Sequence, residues 1–239
     1  MQDLHVLTHK EELDQERLTG KIVVVLDILF ATSTIIAALQ YGASEVVPVL
    51  DETLARAAVA KQPPGSYLLA GEYNAIVPAG FAAFAPKALL RENLAGKRLV
   101  YATTNGTVAL CRSVGAERVY AGALLNGAAV AEHIGRYCRD QTVLILCAGS
   151  RGSLNMEDLY GAGYLVDCLT QAEENRWRLS DAALVAHSLF RQREAQECLL
   201  RSRVGRMMQQ LGLEEEVYFA ARLNVYPIVP VLVDGCLRV

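Results

Sequence analysis

The sequence predicts an α/β protein of two closely packed lobes, and three observations carry that prediction. Residues 22–26 (IVVVL) are an apolar, mostly β-branched run of the kind that forms a strand buried on both faces. Asp27 ends the run, and Ala31-Thr32-Ser33-Thr34 leads into a second apolar stretch at helical spacing, so the chain passes from buried strand through polar turn to helix. The same grammar returns roughly 75 residues later as KRLVYA, the turn Thr103-Thr104-Asn105-Gly106-Thr107 and a helix from Val108. Gly115-Ala116-Glu117 then precedes RVYAG, just as Gly42-Ala43-Ser44-Glu45 precedes VVPVL. The echo reads as a duplicated βαβ element.

The remaining elements follow from local signals. LHVLT is a short first strand, followed by a charged surface segment, HKEELDQERLTG. Thr32 or Ser33 is the natural N-cap of the first helix, and Gly42 suits the left-handed position after it. Pro48 assigns VVPVL to a sheet edge or interrupts it. Asp51 starts a helix that Pro63-Pro64-Gly65 ends. A short strand over residues 67–70 runs directly into Gly71-Glu72, and residues 73–96 form a long irregular segment. Residues 126–139 read as a helix, and a third strand-turn-helix unit runs from TVLILC through Ala148-Gly149-Ser150-Arg151-Gly152 to a helix with Glu157 and Asp158. Residues 177–212 are charged and helical, with Arg191, Arg193, Glu194, Glu197, Arg201 and Arg203 on a solvated face. A helix (VYFAARLN) and a strand (YPIVPVLVDG) close the chain. The lobes divide within residues 71–96, giving an N-terminal lobe of residues 1–90 and a C-terminal lobe of residues 91–239.

Composition removes several function classes. At 52% hydrophobic and 21% charged the chain is globular rather than disordered. It has neither an apolar run of bilayer-spanning length nor the apolar core of a signal peptide, so a cytoplasmic protein without a membrane partner is expected. A net charge of −3 gives no electrostatic basis for binding nucleic acid. The six cysteines contain no C-x-x-C pair and read as reduced core thiols, and the four histidines contain no HExxH, so zinc is not expected. The high apolar content leaves room for a homodimer interface.

Chemistry concentrates at strand C-termini, where open α/β sheets place ligands. Asp27 faces a helix N-terminus: the carboxylate favours a cation and the helix an anion, which together suit a metal-bound phosphate ester. Asp27, Glu72, Glu157 and Asp158 supply oxygen ligands for Mg²⁺, which needs only one or two carboxylates. Glu157 and Asp158 are adjacent and cannot both face one ion on a helix, so one is a ligand and the other a supporting group. Thr104, Asn105, Gly106 and Thr107 offer hydroxyl and N–H donors for phosphoryl oxygens, with no Walker A lysine and no GxGxxG in the chain. Cys147 has no histidine near it in sequence and reads as an inert buried thiol rather than a nucleophile.

These segments together resemble the 2-phosphosulfolactate phosphatase family. Residues 25–33, VLDILFATS, are similar to its V-I-D-V-L-R-A-T-S; Gly71-Glu72 matches G-E, residues 103–107 match T-T-N-G-T, Cys147-Ala148-Gly149 with Glu157-Asp158 matches C-A-G…E-D, and Val229-Pro230 matches V-P. The resemblance covers nearly the whole chain in order. It implies two related three-layer α/β/α lobes with mixed sheets and an active site in the cleft between them. It also implies Mg²⁺-dependent hydrolysis of a phosphorylated small molecule, 2-phosphosulfolactate to 3-sulfolactate, a step of coenzyme M biosynthesis in organisms that make it. By position it carries over Asp27, Ser33, Asn105 and Thr107 as catalytic, Thr32, Thr104, Gly106 and Arg151 as substrate-binding, and Asp27, Glu72, Glu157 and Asp158 as metal ligands.

Three departures bear on the substrate. Phe30 and Val108 stand where the family usually has arginine, and residues 80–86 (GFAAFAP) replace its G-F-D-x-G-N-S-P. Arginine binds phosphate or sulfonate bidentately, at ~1.5–3 kcal/mol per charged hydrogen bond, and neither replacement can do so. The chain is therefore expected to be a Mg²⁺-dependent phosphatase of the phosphosulfolactate type acting on a small phosphorylated hydroxy acid, with phosphosulfolactate or a less charged ester as substrate. The alternative is a non-catalytic ligand-binding homologue, and a nucleotide-dependent oxidoreductase is the weakest reading. Arg151 and Lys87 are the cations that would compensate.

Overall fold

Each apolar run read from the sequence becomes a strand, and all of the strands join one sheet. The computed structural model describes residues 1–172 and 176–239. Its strands are β1 (Gln2–Leu7), β2 (Ile22–Leu26), β3 (Glu45–Val49), β4 (Tyr67–Gly71), β5 (Arg98–Ala102), β6 (Arg118–Gly122), β7 (Val143–Cys147), β8 (Trp177–Leu179), β9 (Val231–Val233) and β10 (Cys236–Arg238). The helices are α1 (Ala31–Gln40), α2 (Glu52–Val59), α3 (Pro86–Leu89), α4 (Gly106–Arg112) and α5 (Gly127–Tyr137), followed by α6 (Met156–Ala172), α7 (Asp181–Gln192), α8 (Ala195–Arg201), α9 (Arg203–Gln210) and α10 (Glu214–Ala220). Among the described residues no helix is long and apolar enough to cross a membrane.

Among the described residues the sheet has ten strands in the order β4-β5-β3-β10-β9-β6-β2-β7-β1-β8, and the α/β class is as predicted. Two runs are parallel, β4-β5-β3 and β6-β2-β7-β1-β8. The β9–β10 hairpin joins them through antiparallel pairing, with Leu237 opposite Val46 and Val231 opposite Tyr120. Strands from residues 1–90 and 91–239 mix within each run: β5 lies between β3 and β4, and β2 between β6 and β7. Strand pairing therefore crosses the division expected near residue 90.

The duplicated element has a topological consequence. β2-α1-β3 starts in the second run and ends in the first, whereas β5-α4-β6 starts in the first and ends in the second. The two units thus exchange strands, β2 pairing with β6 and β3 with β5. Side-chain alternation along the strands explains the layers. Ile22, Val24 and Leu26 pack into an outer core with Val130, Ile134, Tyr160 and Leu165 of α5 and α6. Val23 and Val25 pack with Ile35, Ala38, Ala109 and Leu110 of α1 and α4. Leu99 and Tyr101 of β5 enter that same inner core, while Val100 and Ala102 face α2 through Ala55 and Val59. Both runs share the inner core, so the sheet wraps α1 and α4.

Three local expectations are corrected. β3 is interior rather than an edge strand, yet β10 pairs with it only at Val46, two residues before Pro48, so no partner on that side needs the missing N–H. Residues 177–179 are a strand, and Asp234 and Gly235, both at positive φ, turn the tail into a hairpin. The cap of α1 is neither Thr32 nor Ser33: the helix begins at Ala31, and the Asp27 carboxylate accepts its N–H at 3.3 Å. The Leu29–Phe30 peptide is cis.

Glu45 pins the junction of β3, β5 and β10. Its carboxylate accepts from Arg98 Nε at 2.5 Å and from Arg238 Nε and Nη2 at 2.8 and 2.6 Å. Burial alone raises its pKa, but the hydrogen bonds from Arg238 and Arg98 outweigh it and leave the group below the ordinary glutamate value. Its contribution to stability is therefore present above the ordinary pKa and lost as pH falls through the lowered one. Glu45→Gln is expected to cost about 1–3 kcal/mol at neutral pH and to remove part of the acid sensitivity, checked by urea unfolding across the acid range. Equal stability of variant and wild type at neutral pH would contradict the assignment.

Candidate active site

The site is built where α1 and α4 begin. The β2–α1 and β5–α4 turns are clamped alike: Thr32 Oγ1 accepts from Asp27 N–H at 2.9 Å and donates to Asp27 C=O at 3.0 Å, while Thr107 Oγ1 does the same for Thr103 at 2.8 and 3.0 Å. The two turns touch at Gly106. A Cβ there would lie 2.4 Å from Ala31 Cβ and 2.6 Å from Asp27 Oδ2, so only glycine allows the helix starts to meet.

A cleft opens over this junction. Its polar side is Asp27, Glu72, Thr103, Thr104 and Asn105, with Ser150, Arg151, Asn155 and Arg203 facing them. Leu29, Phe30, Phe84, Val204, Met207 and Met208 form an apolar wall, with the Phe30 and Phe84 rings 6.3 Å apart. Glu72 is fully engaged: Oε1 accepts from Thr104 N–H at 2.8 Å, and Oε2 from Ala75 N–H at 2.6 Å and Thr104 Oγ1 at 3.0 Å. Arg203 Nη2 donates to Ser150 Oγ and, at 3.3 Å, to Asn155 Oδ1.

Acidic side chains are concentrated beneath the cleft. Burial, joined by the nearby Glu72 and Glu157 carboxylates, pushes Asp27 up to about 7, against the Ala31 N–H and the Lys10 ammonium. Asp158 is raised well above the carboxylate range by burial and by Asp27 and Glu157, although its oxygens accept from Ile28 N–H at 2.9 Å and Gly149 N–H at 3.1 Å. Burial also raises Glu157, against nearby Ser202 and Arg203. Glu157 is 1% exposed, and neither of its oxygens has a partner at hydrogen-bonding geometry among the described residues. Such clustering calls for protons or a cation.

No group of three or more His, Cys, Asp or Glu among the described residues is arranged to hold a metal. The expected four-carboxylate ligand set is thus not one cage. Asp158 serves as a clamp between β2 and β7, and Glu72 holds the 72–75 turn to Thr104. Among the described residues, Asp27 Oδ2 and both Glu157 oxygens accept no hydrogen bond, so these two of the four carboxylates have oxygens to spare, and two carboxylates with water fit Mg²⁺.

The other expected site residues divide by exposure. Asp27, Glu72, Thr104, Asn105 and Arg151 line the cleft. Ser33, Thr32 and Thr107 do not: all three are fully buried, the Ser33 hydroxyl donates to Ile28 C=O at 2.9 Å, and the threonines are the turn clamps. Gly106 is the contact point between the helices. Lys87 lies away from the cleft and pairs with Glu215 at 2.7 Å. Arg203, read as part of a solvated face, reaches the cleft instead, and Lys10, read as surface, is only 6% exposed. The Cys147 thiol is fully buried and pushed well up by burial, which leaves it unreactive.

The α/β fold sets this cleft, with its buried carboxylate and two arginines, over strand C-termini. The family model described as 2-phosphosulpholactate phosphatase matches residues 7–235. The chain is 34% identical to a probable 2-phosphosulfolactate phosphatase of Symbiobacterium thermophilum, over 92% of this chain and 94% of that protein. It is 35% identical to one of Carboxydothermus hydrogenoformans (95% and 92%) and 32% identical to one of Clostridium tetani (99% and 100%). The chain belongs to the 2-phosphosulfolactate phosphatase family, a group of phosphoric monoester hydrolases.

Gly106→Ala tests the contact between the helices. The added methyl must part α1 from α4, and overpacking of this kind costs roughly 1–3 kcal/mol. Thermal unfolding is expected to show that loss together with a fall in turnover; unchanged turnover would contradict the role given to the junction.

Proposed function

We propose that this protein is a Mg²⁺-dependent phosphatase that removes phosphate from a phosphorylated small hydroxy acid, with 2-phosphosulfolactate, giving 3-sulfolactate, as the family-typical substrate. The observation that carries this reading is Asp27 in a cleft lined by two arginines, with a buried carboxylate, Glu157, that has no hydrogen-bond partner among the described residues and lies close enough to perturb it. Asp27 and Glu157 would hold the ion, which when bound polarises the phosphoryl group and lowers the pKa of a water.

The chain's own groups do the rest. Arg151 and Arg203 draw the anionic substrate in and orient it, the latter braced by Ser150 and Asn155. Asn105 donates to phosphoryl oxygens as charge shifts onto them. Leu29, Phe30, Phe84 and the α9 side chains exclude water from one side of the cleft, which strengthens those interactions. The six free cysteines suit a reducing compartment, which supports a cytoplasmic location.

Phosphate release from 2-phosphosulfolactate and less charged phospho-hydroxy acids tests the reading. Turnover is expected with Mg²⁺ and is expected to vanish with chelator; no release from any ester would reject it. Asp27→Asn is expected to lower turnover by a factor on the order of 100 or more. Added Mg²⁺ should raise the Tm of the wild type but not of Glu157→Gln, because a ligand stabilises only the fold that binds it. Equal shifts would remove Glu157 from the ion's ligands.

A further inference from the structure

Beside the carboxylates lies one buried ammonium with no part in the reading so far. Lys10 sits in the 3-10 turn Lys10–Glu12 that follows β1, where its N–H donates to Ala148 C=O at 3.2 Å. Its side chain is 7% exposed, and Nζ reaches Asn105 Oδ1 at 2.8 Å and Glu11 Oε1 at 3.2 Å. A lysine of this chain that buries its charge must gain from the groups it meets.

The contact decides which way Asn105 points. Asn105 occupies the N-cap position of α4, where an asparagine oxygen ordinarily accepts a backbone N–H of the first turn. Here it makes no such bond, and Thr107 N–H is instead taken by Thr103 Oγ1 at 3.1 Å. Lysine can only donate, so the atom facing Lys10 must be Oδ1. Nδ2 is left with its two hydrogens unengaged by any described residue, on a side chain that lines the cleft.

We propose that Lys10 is a positioning residue: by holding Oδ1 of Asn105 it fixes the amide so that Nδ2 donates into the cleft, to an oxygen of the bound phosphoryl group. This rests on the phosphatase reading of the same cleft. Lys10 itself touches no substrate, and the role requires a donor at the end of a buried stem, which arginine can supply and methionine cannot.

Steady-state phosphate release from the best ester, measured in wild type, Lys10→Met, Lys10→Arg, Asn105→Ala and the Lys10→Met/Asn105→Ala double variant, separates positioning from general support. Lys10→Met is expected to lower kcat about 10- to 100-fold with a smaller change in KM, as for loss of one transition-state donor. Lys10→Arg is expected to recover most of the rate. In the Asn105→Ala background Lys10→Met is expected to add little, since no amide remains to be oriented. Equal losses in both backgrounds, or an unchanged kcat in Lys10→Met, would overturn the proposal. Should the Lys10 variants fail to fold, Asn105→Asp keeps an acceptor oxygen for Lys10 and removes the NH2; it is expected to lose at least as much rate as Asn105→Ala, and full rate would be the overturning result. If wild type releases phosphate from no ester, the phosphatase reading fails separately. Binding of inorganic phosphate, followed by ³¹P NMR, then decides the role of Lys10: weaker binding in Lys10→Met than in wild type supports it, and equal binding overturns it.

Discussion

The contact between the first turns of α1 and α4 is the constraint on which the rest of the site depends. Gly106 leaves no room for a side chain against Ala31 and Asp27, so the two helix starts meet and the ends of β2 and β5 are fixed relative to each other. The two strand–helix–strand units explain why this happens where the two parallel runs meet. Each copy sends its helix from one parallel run to the other, and the sheet closes around both helices. Threonine clamps, Thr32 in one unit and Thr107 in the other, hold the two turns through the same pair of hydrogen bonds, although the first turn is one residue longer.

Clamped alike, the two turns carry different chemistry. Asp27 stands where the second copy has Thr103, so one half supplies a charged oxygen and the other supplies neutral donors and acceptors. The third strand end adds Arg151, and the helices beyond it add Arg203. Burial of three carboxylates around this point is costly unless compensated, and the raised pKa values of Asp27, Glu157 and Asp158 express that cost.

Much of this was legible in the sequence because it rests on local rules. The strand of residues 22–26, the Asp27 turn and the TTNGT turn follow from apolar runs ended by polar residues; the strand lies where the sequence predicts it, while the helix after TTNGT begins at Gly106 rather than Val108. What could not be read was which hydroxyls face the cleft. Ser33, Thr32 and Thr107 look like ligands for phosphate in a linear motif, but a hydroxyl in the first turn of a helix also reaches the preceding backbone, and here it does. Lys10 and Arg203 were missed for the opposite reason. Each lies in a charged stretch that reads as solvated, and only the packing of β1 beside β7 and of α9 beside the Ser150–Asn155 turn brings them in. The β9–β10 hairpin was announced by Asp234-Gly235, a turn signal that a reading of one continuous tail strand passed over.

A crystal structure with orthovanadate bound tests the central claim most directly, since it places a phosphoryl-like group without requiring the native ester. Vanadate is expected over Asp27, within hydrogen-bonding distance of Asn105 Nδ2 and contacted by Arg151 or Arg203. Vanadate ordered instead in another recess, such as that formed by Asp167, His187 and Arg191, with this cleft bare, would contradict it.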